Sequence, residues 1–211
     1  MEIIPNVHHL PGVTGGNVYL LVGSTLTLVD TGLPDNAAAI LSYIDSLGRS
    51  AADLTRIVIT HYHHDHVGSV EAIKQRTGAR VLAHLGDLPL ITAQAVAVDA
   101  TLEDGDHLDT LAALSAGVLR GATVVHVPGH TPGSIALHLP AERVLLCGDT
   151  IRNGGEQLTP PPEQYTADVK GAITSIRRMA ELEFDGLCVG HGAPVVGGAG
   201  EQVRALVREL A

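Results

Sequence analysis

Short runs of apolar residues, each ended by a Gly, Asp or His, follow one another along the chain in a repeated order. In the first half, apolar runs at residues 17–22 and 25–29 flank a Gly-Ser pair, which predicts a β-hairpin. Residues 34–48 carry apolar side chains at helical spacing and predict a helix that begins at a proline and ends at a glycine. The next apolar run, residues 57–59, predicts a strand that leads to His61.

The second half repeats this order of elements. Residues 134–139 and 144–147 predict another hairpin, interrupted by Pro-Ala, and residues 166–182 predict a helix with one apolar face. A short strand at residues 187–189 then leads to His191. In both halves the order is hairpin, Asp-Thr, helix, strand and His.

This repeat predicts two similar halves packed around an approximate twofold axis. Each half places an Asp and a His at strand ends, Asp30 with His61 and Asp149 with His191. Several of the predicted strands are apolar throughout, as strands buried on both faces are. Two packed sheets with helices outside explain that pattern, so the predicted fold class is α/β.

Two segments are less regular. Residues 84–121 include an acidic stretch at 99–109, and residues 111–119 fit either a helix or a loop. Residues 151–165 contain a Gly-Gly pair and three consecutive prolines, and predict a long loop directly after Asp149. Long loops in compact domains are often functional, so this one either borders a substrate or is a passive connection.

Composition limits the classes of protein that fit. The 211 residues are 45% hydrophobic and 17% charged, enough for one domain over residues 1–211 with a sizeable core. That core must be aliphatic, because there is one Phe, no Trp and only four Tyr. The net charge of −10 and the lack of a basic stretch disfavour nucleic acid as a partner.

The chain also lacks signals for membranes or secretion. No run of about 18 apolar residues predicts a membrane span, and the N-terminal residues do not resemble a secretory signal. Two cysteines, Cys147 and Cys188, do not form a disulfide framework and are expected in core strands. We therefore expect a cytoplasmic protein; its oligomeric state, including a homodimer, is left open.

The densest chemical signal is His-Tyr-His-His-Asp-His at residues 61–66. In an extended segment alternate side chains share a face, so His61 and His63 can point the same way. Asp65 and His66, where the chain turns, can serve a neighbouring position. A single zinc ion takes about four ligands, so the cluster indicates either one saturated site or half of a two-metal site.

Three further signals follow the cluster. His130 lies in a Gly- and Pro-rich turn at residues 127–134, Asp149 ends a strand, and His191 stands between two glycines. Each is unremarkable alone, but together and in this order they are specific.

With these motifs the chain resembles the metallo-β-lactamase-fold superfamily, over nearly all of its length from Asp30 to His191. The resemblance implies a four-layer αββα sandwich of two mixed β-sheets with a dinuclear site at one edge. It implies the following roles: His61, His63 and His130 as ligands of one metal, Asp65, His66 and His191 as ligands of the other, Asp149 as the bridge, and Asp30 as a support behind the ligands. The other seven histidines are expected on the surface, in strands or behind the site: His8, His9, His64, His84, His107, His126 and His138. His64 is excluded as a ligand because on an extended chain it faces away from its neighbours.

Five imidazoles and two carboxylates suit two Zn²⁺ ions per chain, and iron or manganese also accepts such ligands. Two metals about 3.5–4 Å apart share a water and lower its pKa, and the resulting hydroxide attacks a carbonyl. Asp65 and Asp149 are the expected catalytic residues, with Asp65 orienting the hydroxide. No Ser or Cys nucleophile is required.

The presence of Asp149 narrows the activity, because the β-lactamase branch of the superfamily lacks a bridging Asp. The expected activity is hydrolysis of a small ester or thioester, as in hydroxyacylglutathione hydrolases, with a lactonase as the closest alternative. Larger hydroxyacylglutathione hydrolases add a C-terminal helical region, whereas about 20 residues follow His191 here. A mono-iron persulfide dioxygenase or a nuclease fits less well.

The expected partner is a small-molecule carbonyl substrate. Candidate walls of its pocket are residues 10–16, the loop after Asp149 and parts of 85–121. Tyr62 and Tyr165 could each contribute a hydroxyl, although we expect both to be structural.

Overall fold

The computed structural model describes residues 1–108 and 121–210. In a seven-stranded sheet, the strands lie side by side in the same order as along the chain. They are β1 (Glu2–Ile4), β2 (Val7–His9), β3 (Tyr19–Val22), β4 (Leu26–Val29), β5 (Leu54–Ile59), β6 (Arg80–His84) and β7 (Ala100–Leu102). Its first four strands are antiparallel neighbours, and β4 to β7 run parallel. The sheet is therefore mixed, with parallel crossovers made through helices.

The second sheet has five strands in the order β14-β13-β10-β9-β8. Its members are β8 (Thr123–His126), β9 (Ile135–Leu139), β10 (Val144–Gly148), β13 (Gly186–Val189) and β14 (Val195–Val196). A separate two-stranded hairpin is formed by β11 (Arg152–Asn153) and β12 (Leu158–Thr159). The helices are α1 (Ala37–Ser46), α2 (His64–Val67), α3 (Val70–Thr77), α4 (Leu88–Thr92), α5 (Val169–Met179) and α6 (Ala199–Glu209).

Alternating side chains on each strand divide the core into three layers. On β3, Leu20 faces a cluster shared with α1 and α3, whereas Leu21 faces a cluster between the two sheets. On β10, Leu146 points into the layer between the sheets and Leu145 points towards α5 and α6. This alternation gives the αββα sandwich, as expected, with the two sheets face to face and helices on both outer faces.

The two halves share their order of elements and their strand pairing. The hairpin β3–β4 is followed by α1 and by β5, which lies parallel to β4. The hairpin β9–β10 is followed by α5 and by β13, which lies parallel to β10. Because parallel neighbours end at the same edge of a sheet, the residues after these strands collect at one edge.

Some predicted bounds differ from the structure. The second long helix is shorter than the predicted 166–182, because Asp168 accepts a hydrogen bond from the Gly171 amide and fixes the helix start at Val169. The predicted loop 151–165 contains the β11–β12 hairpin and a 3₁₀ turn at Glu163–Tyr165. The segment 111–119 lies outside the described residues.

Within residues 1–108 and 121–210, no helix combines the length and apolar character needed to cross a lipid bilayer.

Candidate metal centre

Three imidazole nitrogens converge at the edge of the seven-stranded sheet. His61 and His63 follow β5, and His130 lies in the loop after β8. Nδ1 of His63 lies 3.1 Å from Nε2 of His61 and 2.9 Å from Nε2 of His130. Two nitrogens on one tetrahedral zinc ion are separated by about 3.3 Å, since Zn–N bonds are about 2.0–2.1 Å long. The spacing of these three atoms is close to that of a shared ion.

A second group lies beside the first. Asp65 and His66 are on the single turn of α2, and His191 follows β13. Oδ2 of Asp65 is 3.1 Å from Nε2 of His191 and 3.9 Å from Nε2 of His66. The three side chains form a second candidate group for a metal ion.

Asp149 lies between the two groups, at the end of β10, with 8% of its side chain exposed. Its Oδ1 is 3.3 Å from Nε2 of His66, in the second group. Its Oδ2 is 3.2 Å from Nε2 of His191 and 3.7 Å from Nε2 of His130, which belongs to the first group. One carboxylate thus contacts histidines of both groups.

Two buried atoms at this point have no hydrogen-bond partner within the described chain, Nε2 of His66 and Oδ1 of Asp149. An unpaired buried polar atom costs about 1–3 kcal/mol, so such atoms call for a partner. A metal ion would satisfy both, and N and O donors suit zinc, iron and manganese. The donor set therefore fits divalent metals.

Asp30 fixes the orientation of His66 from behind. Its Oδ2 is 2.8 Å from Nδ1 of His66, and its two oxygens accept hydrogen bonds from the amide and hydroxyl of Thr60. Accepting the Nδ1 proton directs Nε2 of His66 towards Asp149, where its lone pair would serve a bound metal. Asp30, His61 and His66 are also close enough to hold an ion, but the hydrogen bonds to Thr60 and His66 engage both oxygens of Asp30.

Two glycines are required by close packing against the ligands. A Cβ atom on Gly190 would lie 2.0 Å from Oδ1 of Asp149, and one on Gly16 would lie 2.5 Å from the His66 ring. No side chain fits at either position without displacing a candidate ligand.

Burial keeps the first group neutral. Burial lowers the pKa of His61 well below its usual value, with a further lowering from His66. Burial also lowers the pKa of His63, and it lowers that of His130 to about 4. These imidazoles offer lone pairs at neutral pH, as metal ligands must.

In the second group, neighbouring carboxylates raise the pKa values of the histidines instead of lowering them. Hydrogen bonds to Asp149 and Asp65 raise the pKa of His191 to about 9. Burial opposes the charged form of His66, but Asp30 and Asp149 together raise its pKa well above the usual value. The hydrogen bond from His191 lowers the pKa of Asp65 to about 2. Burial works against the charge on Asp149, yet His191 and His66 hold its pKa well below the usual value. The second group is therefore a place where positive charge is stabilised.

Asp87 is a buried carboxylate that the sequence analysis missed. Its Oδ2 accepts hydrogen bonds from the Tyr62 amide at 2.9 Å and the Thr131 hydroxyl at 2.7 Å, and its Oδ1 accepts one from the Gly133 amide at 2.6 Å. It thus ties the segment that carries His61 and His63 to the loop that carries His130. A lone Asp in a segment with no regular pattern has no local signal of this role.

Asn17 was also missed, and it connects the two sheets beside His191. Its side-chain amide donates to the carbonyls of Val189 at 2.9 Å and Gly192 at 2.7 Å, which flank that histidine. Its backbone amide donates to Gly190 at 2.7 Å. The loop that carries His191 is therefore held by three hydrogen bonds from one residue.

His64 lies outside the candidate groups, but the reason expected from the sequence was wrong. It begins helix α2 rather than continuing an extended strand, so its direction follows from the helix turn. The other six histidines assigned no ligand role also lie outside the candidate groups that the described residues form.

A cavity of about 390 Å³ opens over the centre. Five of the candidate site residues line it, together with His64, Arg152, Pro162 and Tyr165. The loop after Asp149 is therefore a wall, whereas residues 10–16 and the described part of 85–121 contribute no lining residue. Tyr62 packs against the core, whereas Tyr165 is 62% exposed and lines the cavity.

A protein-family sequence model, that of the metallo-β-lactamase superfamily, matches residues 11–191 of the chain. The chain belongs to the metallo-β-lactamase superfamily. It is also similar to the probable metallo-hydrolase YflN of Bacillus subtilis, with 28% identity over all of this chain and 91% of that protein. The chain is a metallo-hydrolase of the superfamily, and the fold implies binding of divalent metal.

Two further matches are a relative that aligns with only part of this chain and a protein of known structure. A hydroxyacylglutathione hydrolase of Ectopseudomonas mendocina is 36% identical over 69% of this chain and 51% of that enzyme. The chain spans about half the length of this relative. A solved structure, TTHA1623 in a di-iron-bound form, matches with a TM-score of 0.71 and 26% identity, covering 93% of this chain and 97% of that one.

Proposed function

We propose that this metallo-hydrolase uses two metal ions to cleave a small ester or thioester. The observation that carries the proposal is the position of Asp149, whose two oxygens contact histidines from both candidate groups. A mononuclear site would need only one group, and a carboxylate that contacts both groups favours a dinuclear site. The similarity to a hydroxyacylglutathione hydrolase supports the ester or thioester class.

In this proposal the first group, His61, His63 and His130, holds one ion. The second group, Asp65, His66 and His191, holds the other, and Asp149 serves both. Zinc suits these ligands, and the similarity to a protein solved in a di-iron form supports iron as an alternative. When bound, such ions would supply Lewis acidity, which lowers the pKa of a coordinated water and stabilises negative charge on the carbonyl oxygen.

The residues of the chain orient the attacking water and the metal ligands. Asp65 is the most open of the three carboxylates, with 33% of its side chain exposed towards the cavity. It accepts a hydrogen bond from the attacking water and orients that water towards the carbonyl carbon. Asp30 holds His66 in the tautomer whose Nε2 faces the centre. Neither cysteine acts as a nucleophile, because both are buried in β-strands.

The experiment is a comparison of substrates after loading with zinc, manganese or iron. S-lactoylglutathione, an acyl-homoserine lactone and a simple aryl ester separate thioesterase, lactonase and general esterase activity. We expect turnover of at least one, and a loss of about 100-fold in kcat for Asp65→Asn. Asp45→Asn, on the exposed face of α1, is the matched control. No turnover of any substrate with any of these metals would overturn the proposal.

A further inference from the structure

One positively charged residue, Arg152, lines the cavity over the candidate centre. Arg152 is three residues after Asp149, on β11, and its side chain lines the same cavity as Asp65 and His191. Among the lining residues that the structure describes, it is the only Lys or Arg. The candidate centre is therefore faced by one permanent positive charge that belongs to no ligand group.

The guanidinium of Arg152 makes no ion pair or side-chain hydrogen bond within residues 1–108 and 121–210. Four other arginines are paired with carboxylates: Arg49 with Asp53, Arg178 with Asp104, and Arg204 and Arg208 with Glu201. An arginine with five free donors at a cavity wall is suited to an anion that arrives from outside.

The backbone beside Arg152 is fixed to the loop of His191. The amide of Asn153 donates to the His191 carbonyl at 3.1 Å, and the Asn153 side chain donates to the Ala193 carbonyl at 2.8 Å. A Cβ atom on Gly192 would lie 2.0 Å from the Asn153 carbonyl oxygen, so the two segments are in close contact. The backbone of Arg152 is therefore held in place beside the candidate metal ligand His191. Less conformational entropy of the protein is then lost when Arg152 binds an anion.

The form of the site favours a carboxylate over a phosphate. A single guanidinium matches one carboxylate in a bidentate pair and balances its one charge. The cavity wall offers no second Lys or Arg among its described residues, as a phosphate dianion would favour. Pro162 and Tyr165, on the same cavity, supply apolar surface for carbon atoms of the substrate.

We infer that Arg152 binds a carboxylate of the substrate, so that the enzyme favours esters or thioesters that carry a free carboxylate besides the scissile carbonyl. This inference rests on the proposed hydrolase function. It assigns to Arg152 the choice among substrates, and to the candidate metal ligands the reaction itself.

Two matched pairs of substrates test the inference. An aryl monoester of glutaric acid is compared with the aryl butyrate, and 4-acetoxybenzoate is compared with phenyl acetate. We expect kcat/KM to be at least about tenfold higher for the charged member of at least one pair, and Arg152→Gln to remove that preference. Arg152→Lys should restore part of it. Arg76→Gln, an exposed arginine on α3, is the control for net charge and should keep the preference.

A binding measurement separates failure of this inference from failure of the hydrolase proposal. Glutarate and 4-hydroxybenzoate are titrated into the zinc-loaded wild type and the zinc-loaded Arg152→Gln variant. If no ester is hydrolysed, binding to the wild type that weakens at least about tenfold in Arg152→Gln still supports the carboxylate site. Equal binding by both proteins, or an equal loss of activity on charged and neutral esters, overturns it.

Discussion

Nδ1 of His66 lies 2.8 Å from Oδ2 of Asp30, and both side chains are almost completely buried. This contact couples the Asp after the first hairpin to the turn that follows β5. It fixes a proton on Nδ1 of His66 and directs Nε2 towards the centre, where a bound metal would take its lone pair.

Replacing Asp30 by Asn should weaken the second metal group. The amide would present a donor to atoms that are already donors, Nδ1 of His66 or the Thr60 amide and hydroxyl. The imidazole would then favour the tautomer with the proton on Nε2. We expect zinc affinity to fall by about 10–100-fold in a competition titration with a chelator. Asp45→Asn is the control, and an unchanged affinity would show that Asp30 has no such role.

Removing the carboxylate of Asp87 should affect stability and the first group. Asp87→Ala leaves three buried donors without their acceptor, on Tyr62, Thr131 and Gly133. The free energy of unfolding should fall by about 3 kcal/mol in a denaturant titration. Asp87→Asn keeps the size of the side chain and should lose less. Equal stability of wild type and Asp87→Ala would contradict the connecting role.

His191 makes the stability of the metal-free protein depend on pH. Its pKa is about 9 in the folded protein, because Asp149 and Asp65 accept its hydrogen bonds, against 6.5 for the unaffected side chain. A raised pKa contributes stability that is fully present below about pH 6.5 and is lost as the pH rises to about 9. Comparing the Tm of metal-free wild type and His191→Gln should give a difference that is largest near pH 6 and shrinks towards pH 9. A difference independent of pH would refute the raised pKa.

The two thiols should be unreactive in the native protein. Burial raises the pKa of Cys147 to about 12 and that of Cys188 further, so neither forms a thiolate at neutral pH. Iodoacetamide should leave both unmodified by mass spectrometry until denaturant is added. Rapid alkylation of the folded protein would show that a thiol is exposed.

The order of the sandwich could be predicted because local signals agree with it. Continuous apolar runs, turn glycines and the repeated Asp and His at strand ends each indicate the same hairpin, helix and strand in both halves. The three core layers follow from the alternation of side chains along each strand, as Leu20 and Leu21 illustrate on β3.

Contacts between distant segments could not be predicted in the same way. Asp87 acts through residues 25 to 46 positions away, and Asn17 acts through residues more than 170 positions away. Arg152 was hidden for a similar reason, because only the fold brings its loop over the cavity. His64 shows the reverse error, in which the sequence suggested extended backbone where a helix begins.

The central claim is that Asp149 is shared between two metal ions, and a metal count on the purified, zinc-loaded protein tests it most directly. Elemental analysis after removal of free metal should find about two zinc ions per chain in the wild type and in Asp45→Ala. Asp149→Ala should retain at most about one, because both groups lose a ligand. One zinc ion in the wild type, or two retained by Asp149→Ala, would contradict a shared carboxylate at this centre.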